Sequence, residues 1–193
     1  MNYTAEIQHS KETFQRLAKT QHNEYGIVFK VAMMVVGTVS LLIAVSTRVD
    51  NTFSILLLLM GGLAFSGLNM PAQRNAEKLI SMADGNFPHT KYSFLEKEIR
   101  ITSDESTISL EYTQIYDLLE DNNYFFLFLN SYAGYMIPKN SIHPANLEHF
   151  TSSLEERIGL KRHRVTGLLT LNVRARLQRQ KARKQRAQNK AES

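Results

Sequence analysis

The side chains that could do chemistry are few, and their spacing argues against a reaction centre. The six histidines stand at His9, His22, His89, His143, His149 and His163. Only His143 and His149 lie near each other, with Glu148 between them, and six residues apart on a helix they do not share a face. No third ligand stands at metal-binding spacing, so no metal is expected. The chain has no cysteine, which excludes a thiol nucleophile, a thiolate zinc site and a disulfide framework. Carboxylates pair at Glu96 and Glu98, Asp104 and Glu105, and Glu120 and Asp121. These are turn or strand-edge positions, where a solvated charge is the simplest reading. Tyr124, Phe125, Phe126 and Phe128 could stack on nucleic-acid bases, but they suit a sheet core better. No phosphate-cradling glycine loop, nucleophile elbow or dinucleotide fingerprint occurs. The residues therefore point to no catalytic, cofactor or metal site, and to a protein that is not an enzyme.

Charge offers a different kind of site. The formal charge is +5, and it is unevenly distributed. Residues 161–190 hold eleven Lys and Arg and no acid, whereas residues 1–160 sum to −5. The candidate binding residues are Arg174, Arg176, Arg179, Lys181, Arg183, Lys184 and Arg186. Their neighbours are compatible with helix, and Leu168, Leu169, Leu171, Val173 and Leu177 add a partial apolar side. Anionic lipid headgroups suit this segment, each nearby Lys or Arg contributing about 1 kcal/mol. An acidic protein partner fits as well. Nucleic acid fits by charge alone but is not favoured, and a solvated tail needs no partner.

The element that positions everything else is residues 27–70. Two apolar runs, 27–47 and 52–70, are separated only by Arg48, Val49, Asp50 and Asn51. A membrane-spanning helix needs about 20 mostly apolar residues, and both runs qualify. A linker this short makes a tight hairpin, with both ends on one side. Lys11, Arg16 and Lys19 before the hairpin, and Arg74 and Lys78 after it, outnumber the single Arg48 in the loop. The positive-inside rule then puts both termini in the cytoplasm. Lys30 can snorkel from the first span to that same side. Small residues at Gly37, Ser40, Ala44, Gly61, Gly62, Ser66 and Gly67 let the two helices approach closely. They would also suit a homo- or hetero-oligomer.

The flanks are short. In residues 1–26, Tyr3, Ala5 and Ile7 alternate with polar neighbours as in a strand. Ser10 then reads as an N-cap, with Phe14, Leu17 and Ala18 at helical spacing. This pair is expected to pack on the domain that follows the hairpin, or else to lie on the bilayer surface. Residues 71–86 read as a connector helix opened by Pro71. Residues 87–160 read as a meander of short antiparallel strands ended by a helix. A third strand is placed at 115–119, a central apolar strand at 124–129, and a final helix from Pro144 to about Ile158, stopped by Gly159. The fold class is α+β: a transmembrane hairpin plus a small bent sheet or open barrel capped by a helix. Residues 161–193 form the basic tail.

The run ISLEYTQI before a turn, the aromatic strand from Tyr124, and Tyr135-Met136-Ile137-Pro138-Lys139 before a last helix carry a resemblance. In this order, after a strand, a helix and two spans, they resemble the bacterial YcxB-like membrane proteins over roughly residues 1–160. The resemblance implies a cytoplasmic pleckstrin-homology-like domain in a bacterial inner membrane protein. Tyr112 departs from it, standing where those proteins often have tryptophan, and so does the basic tail. The family has no established catalytic site to transfer. The expected function is non-catalytic binding or scaffolding at the membrane. The alternative is an accessory subunit of a larger transport or biogenesis complex, acting through the hairpin.

Overall fold

The computed structural model describes residues 2–46, 51–104 and 106–165. Strand β1 (Tyr3–Gln8) alternates buried and exposed positions, with Tyr3, Ala5 and Ile7 inward. It pairs antiparallel with β2 (His89–Phe94), which lies on the far side of the hairpin in sequence, and Tyr3 stands opposite Phe94. The chain thus returns to the sheet it began. β3 (Glu98–Ser103) and β4 (Ser106–Glu111) complete a four-stranded sheet in the order β1-β2-β3-β4.

A second sheet is built from β5 (Asp117–Glu120), β6 (Tyr124–Phe128), β7 (Gly134–Pro138) and the two-residue β8 (His163–Arg164), in the order β7-β6-β5-β8. The first three are antiparallel, and β8 runs parallel to β5. The inner faces of both sheets share one core. Phe150, on the closing helix α5 (Leu147–Ile158), sits at its centre, edge-on to Tyr3 and Phe94 at 5.1 and 4.9 Å between ring centroids. Leu154 and Ile158 follow it into the core along the same stripe. Gly159, at φ 69°, stops the helix in the left-handed conformation that glycine adopts without strain.

Among the described residues, four α-helices lie between β1 and β2. α1 (Lys11–Tyr25) starts at Ser10, whose side chain accepts from the Thr13 N–H while Thr13 reaches back to the Ser10 N–H. α2 (Ile27–Ser46) follows after Gly26 alone. α3 (Asn51–Ser66) passes through a 3-10 turn (Gly67–Asn69) into α4 (Met70–Ala83). α2 packs along α3, and α1 along α4. α2 and the continuous helical stretch Thr52–Ala83 have mean hydropathies of 2.3 and 1.8 in their most apolar windows, and both are long and apolar enough to cross a membrane. Most of their large side chains face outward, among them Val28, Val35, Leu42, Val45, Leu56, Leu59 and Leu63. This apolar surface far exceeds the isolated apolar residues ordinary on a water-facing protein.

The small residues divide by role. Cβ atoms built on Gly37 and Gly61 would lie 2.8 Å from the Phe65 ring and 2.9 Å from Leu41, so these two glycines form the close α2–α3 contact. Ser40 and Gly67 are buried with them, whereas Gly62 faces open space and Ser66 is exposed.

Several boundaries differ from the sequence expectation. The strand placed at 115–119 begins only at Asp117, because Tyr112–Gln114 is a 3-10 turn boxed by Glu111 and Gln114. The closing helix starts at Leu147 rather than Pro144, since Asn146 caps it by accepting from the His149 N–H. The connector helix is α4, which begins one residue before the expected Pro71 and ends at Ala83, with Pro71 in its first turn, where a missing N–H costs nothing. Residues 161–165 are not tail. They pass beside the second sheet, with β8 on β5 and the Val165 N–H donating to the Glu120 carbonyl.

Candidate functional site at the base of the hairpin

The last turn of α1, the start of β5 and β8 meet where the apolar helices begin. Glu24 comes from α1, Asp117 is the first residue of β5 and His163 the first of β8. Glu24 and Asp117 are 3% and 2% exposed. His163 Nε2 lies 3.5 Å from Asp117 Oδ1 and 3.8 Å from Glu24 Oε1. The Tyr25 hydroxyl donates to Asp117 Oδ2 at 3.0 Å, and its ring meets Phe128 edge-on. The second oxygen of Asp117 is thereby held while the first faces the imidazole. Burying charge is costly unless it is paired, and a protonated His163 would stand between two carboxylates. The three donor atoms lie within 4.8 Å of one another, and this nitrogen and two oxygens are the residues here that could hold a divalent cation. In either state the cluster fastens the root of the hairpin to the second sheet.

A second set of contacts surrounds the same junction. His22 Nε2–H donates to the Leu68 carbonyl at 2.9 Å, joining α1 to the turn between α3 and α4. The His22 ring lies against Gly26, where a Cβ would come within 2.3 Å of Nδ1, so position 26 has no room for a side chain. Burial holds the His22 imidazole below its ordinary pKa, against the opposing pull of the Leu68 carbonyl. Lys30, 2% exposed, turns back toward α1 and donates to Asn23 Oδ1. It does point toward the flank of the hairpin, as snorkelling would have it, but it ends on protein.

Further from the hairpin, the carboxylates read as solvated are in part firmly held. Asp121 pairs with Arg16 at 2.8 Å and also accepts from the Asn123 and Tyr124 N–H groups. The Arg16 guanidinium lies over the Tyr124 ring. Glu120 takes Lys139 on one oxygen and Arg162 on the other, at 2.8 and 3.0 Å. Burial pushes the Glu120 carboxyl up, but Lys139 and then Arg162 outweigh it and hold it below the usual range. These pairs form because β5 and β6 turn tightly between Glu120 and Tyr124, setting two carboxylates against α1, the residue after β7 and the segment leading to β8. Asp104 accepts from the His89 N–H, and Glu105 lies outside the described residues.

The histidines weighed as metal ligands, His143 and His149, both meet β1. The His143 backbone bridges to Thr4, and His149 Nδ1 shares a hydrogen bond with the Tyr3 hydroxyl. The aromatic run is core, with Phe125, Phe126 and Phe128 fully buried. Tyr112, where tryptophan was expected by resemblance, is buried and donates to the Leu95 carbonyl at 2.7 Å, with Arg157 of α5 against its hydroxyl and ring. The basic candidates Arg174, Arg176, Arg179, Lys181, Arg183, Lys184 and Arg186 lie outside the described residues. Sequence reasoning missed Glu24, Asp117 and His163, since only the pairing of β5 with β8 and the packing of α1 bring such distant positions together.

Fold and junction define a class of protein: an α+β unit built from both flanks of an apolar helical hairpin. Residues 94–151 match the family model described as YcxB-like protein. The match runs from the end of β2 into α5 and contains the ISLEYTQI, aromatic-strand and YMIPK segments, so over this part the chain is similar to that family, in line with the resemblance those motifs carry. No curated protein and no solved structure matches the chain.

Proposed function

We propose that the protein is a non-catalytic, membrane-anchored binding or scaffolding protein. Its hairpin crosses a bacterial inner membrane twice, and its α+β unit is displayed to the cytoplasm. Two four-stranded sheets, antiparallel except for the short parallel β8, closed by the helix α5, suit the pleckstrin-homology-like reading. The observation that carries the proposal is the pairing of β1 with β2. It closes the sheet across the hairpin, and the α1–α4 pair then holds the unit at a set height above the apolar belt. Such a platform positions a binding surface relative to a bilayer. The basic segment after Val165 would add attraction to anionic headgroups or to an acidic protein partner.

The test exchanges α2 and α3 for an unrelated two-helix hairpin and compares the proteins captured in mild detergent. Retention of the same set supports display by the α+β unit. Loss of the set, with the α+β unit still folded, would favour the alternative: an accessory subunit that docks through its hairpin. The close-packed Gly37 and Gly61 are engaged within the hairpin, which leaves less of its small-residue face for other helices.

A further inference from the structure

The loop between β6 and β7 is short and held closed. Asn130 Oδ1 accepts from the N–H groups of Tyr132 and Ala133 at 2.7 and 2.8 Å, and the Leu129 N–H donates to the Ala133 carbonyl. At its tip the Tyr132 side chain is 87% exposed, more than Val45, the most exposed of the large apolar residues on α2 at 82%. A large amphipathic ring so fully presented by a rigid loop calls for an explanation, and the position of the loop supplies one.

Gln21 Nε2 on α1 donates to the Ser131 carbonyl at 2.7 Å, tying the loop to the helix that feeds the hairpin. The Gly26 N–H donates to His22 and the Lys30 N–H to Gly26, so backbone hydrogen bonding runs from α1 into α2 across the single-residue junction. Six residues separate Gln21 from Ile27, a rise of about 9 Å along a helix. The headgroup layer on each side of a bilayer is roughly 5–8 Å thick, from an overall ~40–45 Å less a core of ~30 Å. Ser131 is therefore tethered at the outer edge of that layer, with Tyr132 beside it. Tyrosine is enriched at this depth because its ring is apolar and its hydroxyl is wet.

We propose that the 129–134 loop is a second membrane contact, in which Tyr132 enters the headgroup layer of the bilayer that α2 and α3 cross. The inference rests on the membrane reading of the hairpin and adds to it the orientation of the α+β unit. The end of the second sheet near Tyr132 and Asp117 faces the lipid, and the distal end of α4 faces away.

The chain has no tryptophan, so one substitution creates a unique tryptophan, which can be excited apart from the tyrosines. Three full-chain variants are compared: Tyr132→Trp at the loop, Leu58→Trp on the exposed side of α3, and Met82→Trp near the end of α4. Met82 lies sixteen residues beyond Ser66, about 24 Å along the helix. Each is reconstituted in phosphatidylcholine–phosphatidylglycerol vesicles whose acyl chains carry bromine either near the headgroup or near the chain end. The expected result is quenching of Tyr132→Trp mainly by the shallow bromines, quenching of Leu58→Trp mainly by the deep ones, and none for Met82→Trp. If Tyr132→Trp is as unquenched as Met82→Trp while Leu58→Trp is quenched, the loop contact is refuted and the hairpin reading stands. If Leu58→Trp is also unquenched, both fall together.

Discussion

Replacing Tyr3 tests whether the residues before the hairpin belong to the same folding unit as those after it. The side chain is 1% exposed, packs edge-on against Phe150, stands opposite Phe94 and shares a hydrogen bond with His149. Truncation of a buried aromatic costs about 3–5 kcal/mol. Net domain stabilities are only about 5–15 kcal/mol, so Tyr3→Ala removes a large share, roughly two to three and a half decades in the folding equilibrium at ~1.4 kcal/mol per decade. Tyr3→Phe, which loses only the hydrogen bond, should cost about 1 kcal/mol. Thr4→Ala, on the exposed face of the same strand, should stay within about 0.5 kcal/mol. The assay is guanidinium unfolding of the full chain in detergent, followed by near-ultraviolet circular dichroism of the buried tyrosines. If Tyr3→Ala unfolds no more easily than Thr4→Ala, β1 does not complete the sheet and the inserted-hairpin architecture is wrong.

The other expectations concern the junction, the ion pairs and the hairpin. The folded-state pKa of His22 is depressed below its ordinary 6.5 by burial, so the unfolded chain binds more protons just below that pH. Stability should therefore be full above 6.5 and fall as pH drops toward the lowered pKa. Thermal unfolding should show that slope reduced in His22→Gln, and identical slopes would contradict the assignment. Glu120, held below the ordinary carboxylate range, adds stability that is present above its unfolded pKa and lost as acid titrates the folded group. Glu120→Gln should cost about 1–3 kcal/mol, and a double-mutant cycle with Lys139→Met should return a coupling rather than simple additivity. In the hairpin, Gly61→Ala should destabilise by about 1–3 kcal/mol through overpacking against Leu41. Gly62→Ala should be silent, and equal melting shifts for the two in detergent would refute the α2–α3 contact.

The hairpin and the alternation of β1 are both legible in the sequence because each is a local pattern: continuous apolar runs in one case, period two at Tyr3, Ala5 and Ile7 in the other. The α+β class, the aromatic core strand and the Gly159 stop are legible for the same reason. The pairing of β1 with β2 is not, since no local signal connects Tyr3 to Phe94 across four helices. The Glu24, Asp117 and His163 cluster is hidden likewise, with one residue each from a helix end, a strand start and a segment whose bases read as tail. Tyr112 is buried but begins a 3-10 turn after β4, and its hydrogen bonds to Leu95 and Arg157 join positions that no local pattern connects. Pro71 is legible for the local reason too: a proline in a first turn marks the start of a helix, and it sits in the first turn of α4.

A hairpin that crosses a membrane twice leaves both flanks, with the sheets they build, on one side. The chain contains no cysteine, so single cysteines can be placed by Val49→Cys between the two apolar runs, Thr4→Cys on β1 and Ser131→Cys in the β6–β7 loop. Labelling intact spheroplasts with a membrane-impermeant maleimide should modify Val49→Cys alone, and the other two only after the membrane is opened. Labelling of Val49→Cys and Thr4→Cys from the same side would contradict the claim.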